Sequence, residues 1–130
     1  MTERASKMRR VAIIAIGVLL AAGSAAVAFL RSQSVTGQLI DLACYSQDAS
    51  NTGNHHRNRG LICAQACARE GFAVGLLTSD GTVYQVAGGL TADSNAKLVP
   101  HMTETVIITG DVTEGGGQLT IAASDLRVIR

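Results

Sequence analysis

The distribution of apolar and polar positions divides the chain sharply. Residues 11–30, VAIIAIGVLLAAGSAAVAFL, are an uncharged apolar run of twenty. As a helix this run would rise about 30 Å, the thickness of a bilayer's hydrocarbon core. A polar link, RSQS at 31–34, follows, and then the period shortens. Val35 to Cys44, VTGQLIDLAC, is rich in β-branched and aliphatic residues and predicts a first strand, with Gly37 marking a bulge or a close backbone approach. From Tyr45 to Gly60 aliphatic residues almost vanish, which is loop composition.

Leu61 to Glu70, LICAQACARE, predicts a short helix that Gly71 stops and Asn58 could cap. A helix under about twelve residues needs packing or cross-links to persist. Two apolar runs, Phe72 to Thr78 and Thr82 to Ala87, flank Ser79-Asp80-Gly81 and predict a hairpin. Leu90 to Met102 predicts a connector with helical turns around Ala92 to Leu98, interrupted at Pro100. Thr103 to Glu114 alternates as a strand does, Gly115 to Gly117 turn the chain, and QLTIAA with DLRVIR supply one or two closing strands.

These elements predict a mainly β domain over 35–130: a small five-stranded OB-like barrel with one or two short helices, or alternatively a small β-sandwich. Ahead of it stand a basic tail over 1–10, the segment 11–30 and the link 31–34. Arg4, Lys7, Arg9 and Arg10 precede the apolar run and only Arg31 follows at once, so the positive-inside rule keeps the N-terminus cytoplasmic and predicts an extracytoplasmic domain. The expectation is a single-pass cell-membrane anchor, because the run stays apolar through Phe29 and Leu30. Cleavage near Ala28, giving a secreted or periplasmic domain, is the alternative.

Charge alters the choice of partners. From Arg31 onward there are seven Lys or Arg and nine Asp or Glu, a formal charge of −2, with only Tyr45, Phe72 and Tyr84 as aromatics. Such a domain lacks the basic groove and stacking platforms that single-stranded nucleic acid requires. The membrane, through 11–30, and an envelope protein are the partners expected.

The chemistry concentrates in HHRNRGLICAQACAREG, His55 to Gly71, together with Cys44. On a helix Cys63 and Cys67 share a face, with Cβ atoms roughly 5–6 Å apart. A disulfide wants about 3.5–4.5 Å, so an intact helix disfavours a bond between them. A metal bridges that span readily. Cys44, Cys63, Cys67 and one of His55 or His56 make a Cys3His-type set suited to Zn or Cu, and Met102 beside His101 is a further soft candidate. The competing reading is a staple, with Cys44 bonded to Cys63 or Cys67 and no metal, in a structural or protein-interaction module. Three cysteines leave that staple with one thiol over.

C-x-x-C-H haem attachment is absent, and the C-x3-C spacing lies outside thioredoxin-like chemistry. Asp41, Asp80 and Asp111 read as strand-edge or turn residues. With no carboxylate pair, Ser-His-Asp arrangement or phosphate loop, no catalytic residue is assigned and an enzyme is the least supported class.

The order Cys44, a His-bearing loop, Cys63-x3-Cys67-x3-Gly71, Asp80-Gly81-x-Val83-Tyr84 and Val106-x-Ile108-x-Gly110 resembles small exported bacterial proteins of unassigned function. The resemblance spans about Val35 to Ile129. It implies an OB-like β-barrel and an exported location, and carries no activity with it.

Overall fold

The computed structural model describes residues 31–52 and 60–130, the side chains of 60–62 excepted. The apolar segment 11–30 and the loop positions His55, His56 and Asn58 lie outside the described residues. No helix among the described residues is long and apolar enough to cross a membrane.

Five strands, β1 (Ser32–Asp41), β2 (Val74–Leu77), β3 (Val83–Ala87), β4 (Thr105–Gly115) and β5 (Gln118–Val128), close into a barrel in the order β1-β2-β3-β5-β4. The domain is therefore mainly β, and its sheet closes on itself instead of splitting into two layers. Two helices, α1 (Leu42–Gln47) and α2 (Gly60–Arg69), lie between β1 and β2. A helical turn, α3 (Ala92–Asn95), sits between 3-10 turns at Gly89–Thr91 and Val99–His101 in the β3–β4 connection.

Closure depends on β1 changing partners along its length. Its first part pairs with β4, from Ser32 opposite Asp111 to Gln38 opposite Thr105, and its last part pairs with β2, from Gln38 opposite Leu77 to Asp41 opposite Val74. Gly37 lies at the crossover, where a Cβ would stand 2.7 Å from the Leu77 carbonyl oxygen and 2.9 Å from Leu76 Cγ. The close approach expected there is real. A parallel pairing of β3 with β5, Tyr84 opposite Leu119 through Ala87 opposite Ala122, completes the ring.

Two boundaries differ from the sequence expectation. β1 starts at Ser32, so polar residues of the 31–34 link join the sheet, and it ends at Asp41 instead of running on to Cys44. Asp41 ends it by capping α1: its Oδ1 accepts from the backbone N–H groups of Ala43 at 3.0 Å and Cys44 at 3.3 Å. The closing segment is one strand, β5, in which Ser124 is an extra residue opposite the Thr109–Gly110 step of β4 and absorbs the irregularity.

The barrel interior is filled by Leu39, Leu76, Val86, Val106, Ile108 and Ile121. Leu98, Val99 and Met102 from the connector, and Ala64 and Ala68 from α2, join the same core. Each large apolar side chain so buried contributes about 1.5–3 kcal/mol. This burial holds α2, which is too short to stand alone, and fixes where its cysteines lie.

Candidate functional site

On α2 the buried positions are Ala64, fully enclosed, and Ala68, 2% exposed. They are i and i+4, so they form one stripe, and their small side chains let the helix lie close to the barrel. Cys63 and Cys67 each precede an alanine by one residue and therefore form the adjoining stripe, half-buried at the edge of that contact. Further bonds lock the helix in place. Gln65 Nε2 donates to the Val99 carbonyl at 3.2 Å, and Asn95 Nδ2 donates to the carbonyls of Ala68 at 2.9 Å and Phe72 at 3.0 Å.

The end of α2 follows the glycine signal. Gly71 takes φ +84°, and the Phe72 N–H returns to the Cys67 carbonyl at 3.1 Å. Asn95, which receives this end, sits in a left-handed run with Asp93 and Ser94, at φ values of 60°, 54° and 55°. Non-glycine residues pay for that conformation, roughly 1–2 kcal/mol each. The two bonds from Asn95 to the carbonyls of Ala68 and Phe72 at the end of α2 offset part of the cost.

Facing the cysteine stripe is Asp41, only 2% exposed. Its Oδ1 is occupied by the α1 cap, whereas Oδ2 is buried without a hydrogen bond of ordinary geometry. The Cys67 thiol adjoins this carboxyl and also meets Cys63. Burial first, then the Asp41 carboxylate, then Cys63, push the Cys67 pKa from 9.0 up to about 12.

Cys44 joins the same neighbourhood through its backbone. Its N–H is one of the two on Asp41 Oδ1, and its carbonyl accepts from Asn51 Nδ2 at 3.0 Å and the Asp48 N–H at 3.1 Å. Asp41 is therefore the residue the sequence reading missed. A signal was available: Asp41 stands at N-cap spacing ahead of Leu42-Ala43-Cys44, a pattern overlooked because those residues continue the apolar run of a strand.

Other candidates separate from this neighbourhood. Met102, 1% exposed, is part of the apolar core, and His101 Nδ1 pairs with Glu104 Oε2 at 2.9 Å. Asp80 serves the β2–β3 turn, accepting at Oδ1 from the Thr82 N–H at 3.1 Å and from the Thr78 hydroxyl. These bonds, Thr78 first, hold the Asp80 carboxyl below its ordinary range. Surface clefts beside Gly37 and Leu77, and beside His101 and Val128, include none of the cysteines.

No disulfide joins Cys44, Cys63 and Cys67. Among the described residues no three His, Cys, Asp or Glu side chains already form a set that could hold a metal ion. What stands in place is a pair of thiols on one helix face, one of them beside a buried carboxylate. No family model, curated protein or solved structure matches the chain.

Proposed function

We propose that this chain is a membrane-tethered extracytoplasmic binding module that ligates a soft metal, Zn or Cu. Cys63 and Cys67 are its fixed pair, and Cys44 with one of His55 or His56 completes a Cys3His-type set. The observation that carries the reading is the Cys67 thiol beside the Asp41 carboxylate, with Cys63 next to it on the same face of α2. Anionic neighbours that disfavour a bare thiolate favour a bound cation, because the ion neutralises the charge that the proton otherwise must. The same neighbours make Cys67 a poor attacking thiolate, which weighs against thiol exchange.

An OB-type barrel is the scaffold proposed, supported by the strand order with β4 closing on β1 and the parallel β3–β5 pair. Membership among small exported bacterial barrels of this type, and a membrane location through residues 11–30, belong to the same proposal. The test is native mass spectrometry and elemental analysis of the full chain in detergent, purified under reducing conditions with Zn or Cu supplied. About one metal per chain, with thiols protected from alkylation until a chelator is added, is expected. A metal-free chain with Cys44 bonded to Cys63 or Cys67 in non-reducing peptide maps would replace this reading with the structural staple.

A further inference from the structure

The strand directions sort the connections of the barrel to its two ends. β1 runs from Ser32 to Asp41, and β2 and β4 return antiparallel to it. The β2–β3 turn over 78–82 and the β4–β5 turn at Gly116 and Gly117 therefore lie at the end where β1 begins. At the opposite end lie α1, α2, the β3–β4 connection and the end of β5. The Leu42 N–H bonds to the Ala73 carbonyl there, and Gln65 of α2 bonds to Val99 of the connection. Cys44, Cys63 and Cys67 thus belong to the far end, removed from Ser32 by the whole ten-residue length of β1, about 30 Å along the strand.

The near end is bare, and part of it overhangs the start of β1. A Cβ at Gly81, Gly115, Gly116 or Gly117 would meet no heavy atom within 4 Å beyond its chain neighbours. Ser32 stands opposite Asp111, yet β4 continues from Val112 to Gly115 with β5 paired beside it from Gln118. This overhang reaches about 13 Å along the strand, towards the side from which the chain enters β1. Strand tilt shortens its axial share.

The apolar run ends at Leu30, two positions before Ser32. Even fully extended, that link spans at most about 7 Å. The headgroup layer on each side of a bilayer's hydrocarbon core is itself about 5–8 Å deep. With residues 11–30 in the bilayer, so short a link holds the β4–β5 tip at headgroup level. We infer that this tip is a membrane-surface contact seated among zwitterionic phospholipid headgroups, and that the barrel stands on its near end with the cysteine end directed outward. The inference rests on the membrane tether proposed above and deepens it. Charge selects the lipid class. Residues 112–119 include Glu114 and no Lys or Arg, Asp80 occupies the other turn of this end, and Arg31 is outnumbered, so anionic headgroups repel the tip.

The chain contains no Trp, so one introduced Trp reports position by its fluorescence. Gly115→Trp marks the tip, and Phe72→Trp marks the cysteine end, where Phe72 follows α2 and is 53% exposed. Each full chain is reconstituted into phosphatidylcholine vesicles, with and without phosphatidylcholine bearing a nitroxide on its headgroup, and flotation reads membrane attachment. The nitroxide lipid should quench the Gly115→Trp chain and leave the Phe72→Trp chain bright. Aqueous acrylamide should quench in the opposite order. Trp favours membrane interfaces, and the Phe72→Trp chain controls for that preference. Should Gly115→Trp fail to fold, Gln118→Trp, at an exposed position of the same tip, carries the same expectations.

A chain that floats with the vesicles while its tip Trp stays bright would overturn the inference and leave the tether standing. Nitroxide quenching of Phe72→Trp alone would reverse the orientation and overturn it equally. A chain that does not float would overturn both the inference and the tether.

Discussion

The sharpest consequence of the site concerns the reactivity of Cys67 in the metal-free chain. With its pKa pushed from 9.0 to about 12, chiefly by burial and then by Asp41, this thiol is almost wholly protonated where an ordinary cysteine is half ionised. At pH 9 the thiolate fraction falls from about one half to about one in a thousand, a roughly 500-fold reduction in the attacking species. Alkylation by iodoacetamide, quantified at each cysteine by peptide mass spectrometry, reads this directly, with the denatured chain as reference. Steric shielding would also slow the reaction, so the diagnostic is the pH profile. In the native chain the Cys67 rate should keep rising beyond pH 10, while in the denatured chain it should level off above about 9.

Replacing Asp41 by Asn removes the carboxylate's share of the shift and leaves the burial and Cys63 shares. The Cys67 profile should therefore move to lower pH without reaching that of the denatured chain. The linkage sign follows. A thiol whose folded pKa lies above its unfolded value contributes stability that is complete below about pH 9 and is lost as the pH rises towards 12. A native profile that levels near pH 9, or one unmoved by Asp41→Asn, would refute the account of this neighbourhood.

Three further outcomes test how the site is held. Gly37→Ala would place a methyl 2.7 Å from the Leu77 carbonyl oxygen, and should cost about 1–3 kcal/mol in denaturant unfolding by forcing β1 away from β2. Asn95→Ala removes two bonds to the end of α2 and puts alanine at φ 60°; a loss of about 2–3 kcal/mol is expected, with Asn95→Gly recovering the backbone part alone. Leu39→Ala, at a fully buried position of the barrel, should cost about 2–5 kcal/mol, measured by the shift in urea midpoint at constant slope.

Much of this molecule is written locally in the chain. The 3.6-residue pattern of LICAQACARE, with Gly71 after it, determines a helix with Cys63 and Cys67 on one face, and the structure places that helix at Gly60–Arg69. Asp80-Gly81 between β-rich runs determines the β2–β3 hairpin, in which the Gly81 N–H bonds to the Thr78 carbonyl at 3.1 Å. Each of these is set by interactions within a few residues, where propensity and turn chemistry act.

Other features were decided only when distant segments met. The switch of β1 between two partners, and the parallel pairing of Tyr84 with Leu119, need neighbours far along the chain. The left-handed run at Asp93 to Asn95 persists because Asn95 reaches the end of α2. Asp41 shows the limit most clearly. In the chain it is one acid in an apolar stretch, indistinguishable by periodicity from a strand-edge residue. In the fold it is a buried carboxylate beside a thiol, because burial and electrostatic contact depend on which surfaces pack together and no local pattern records that.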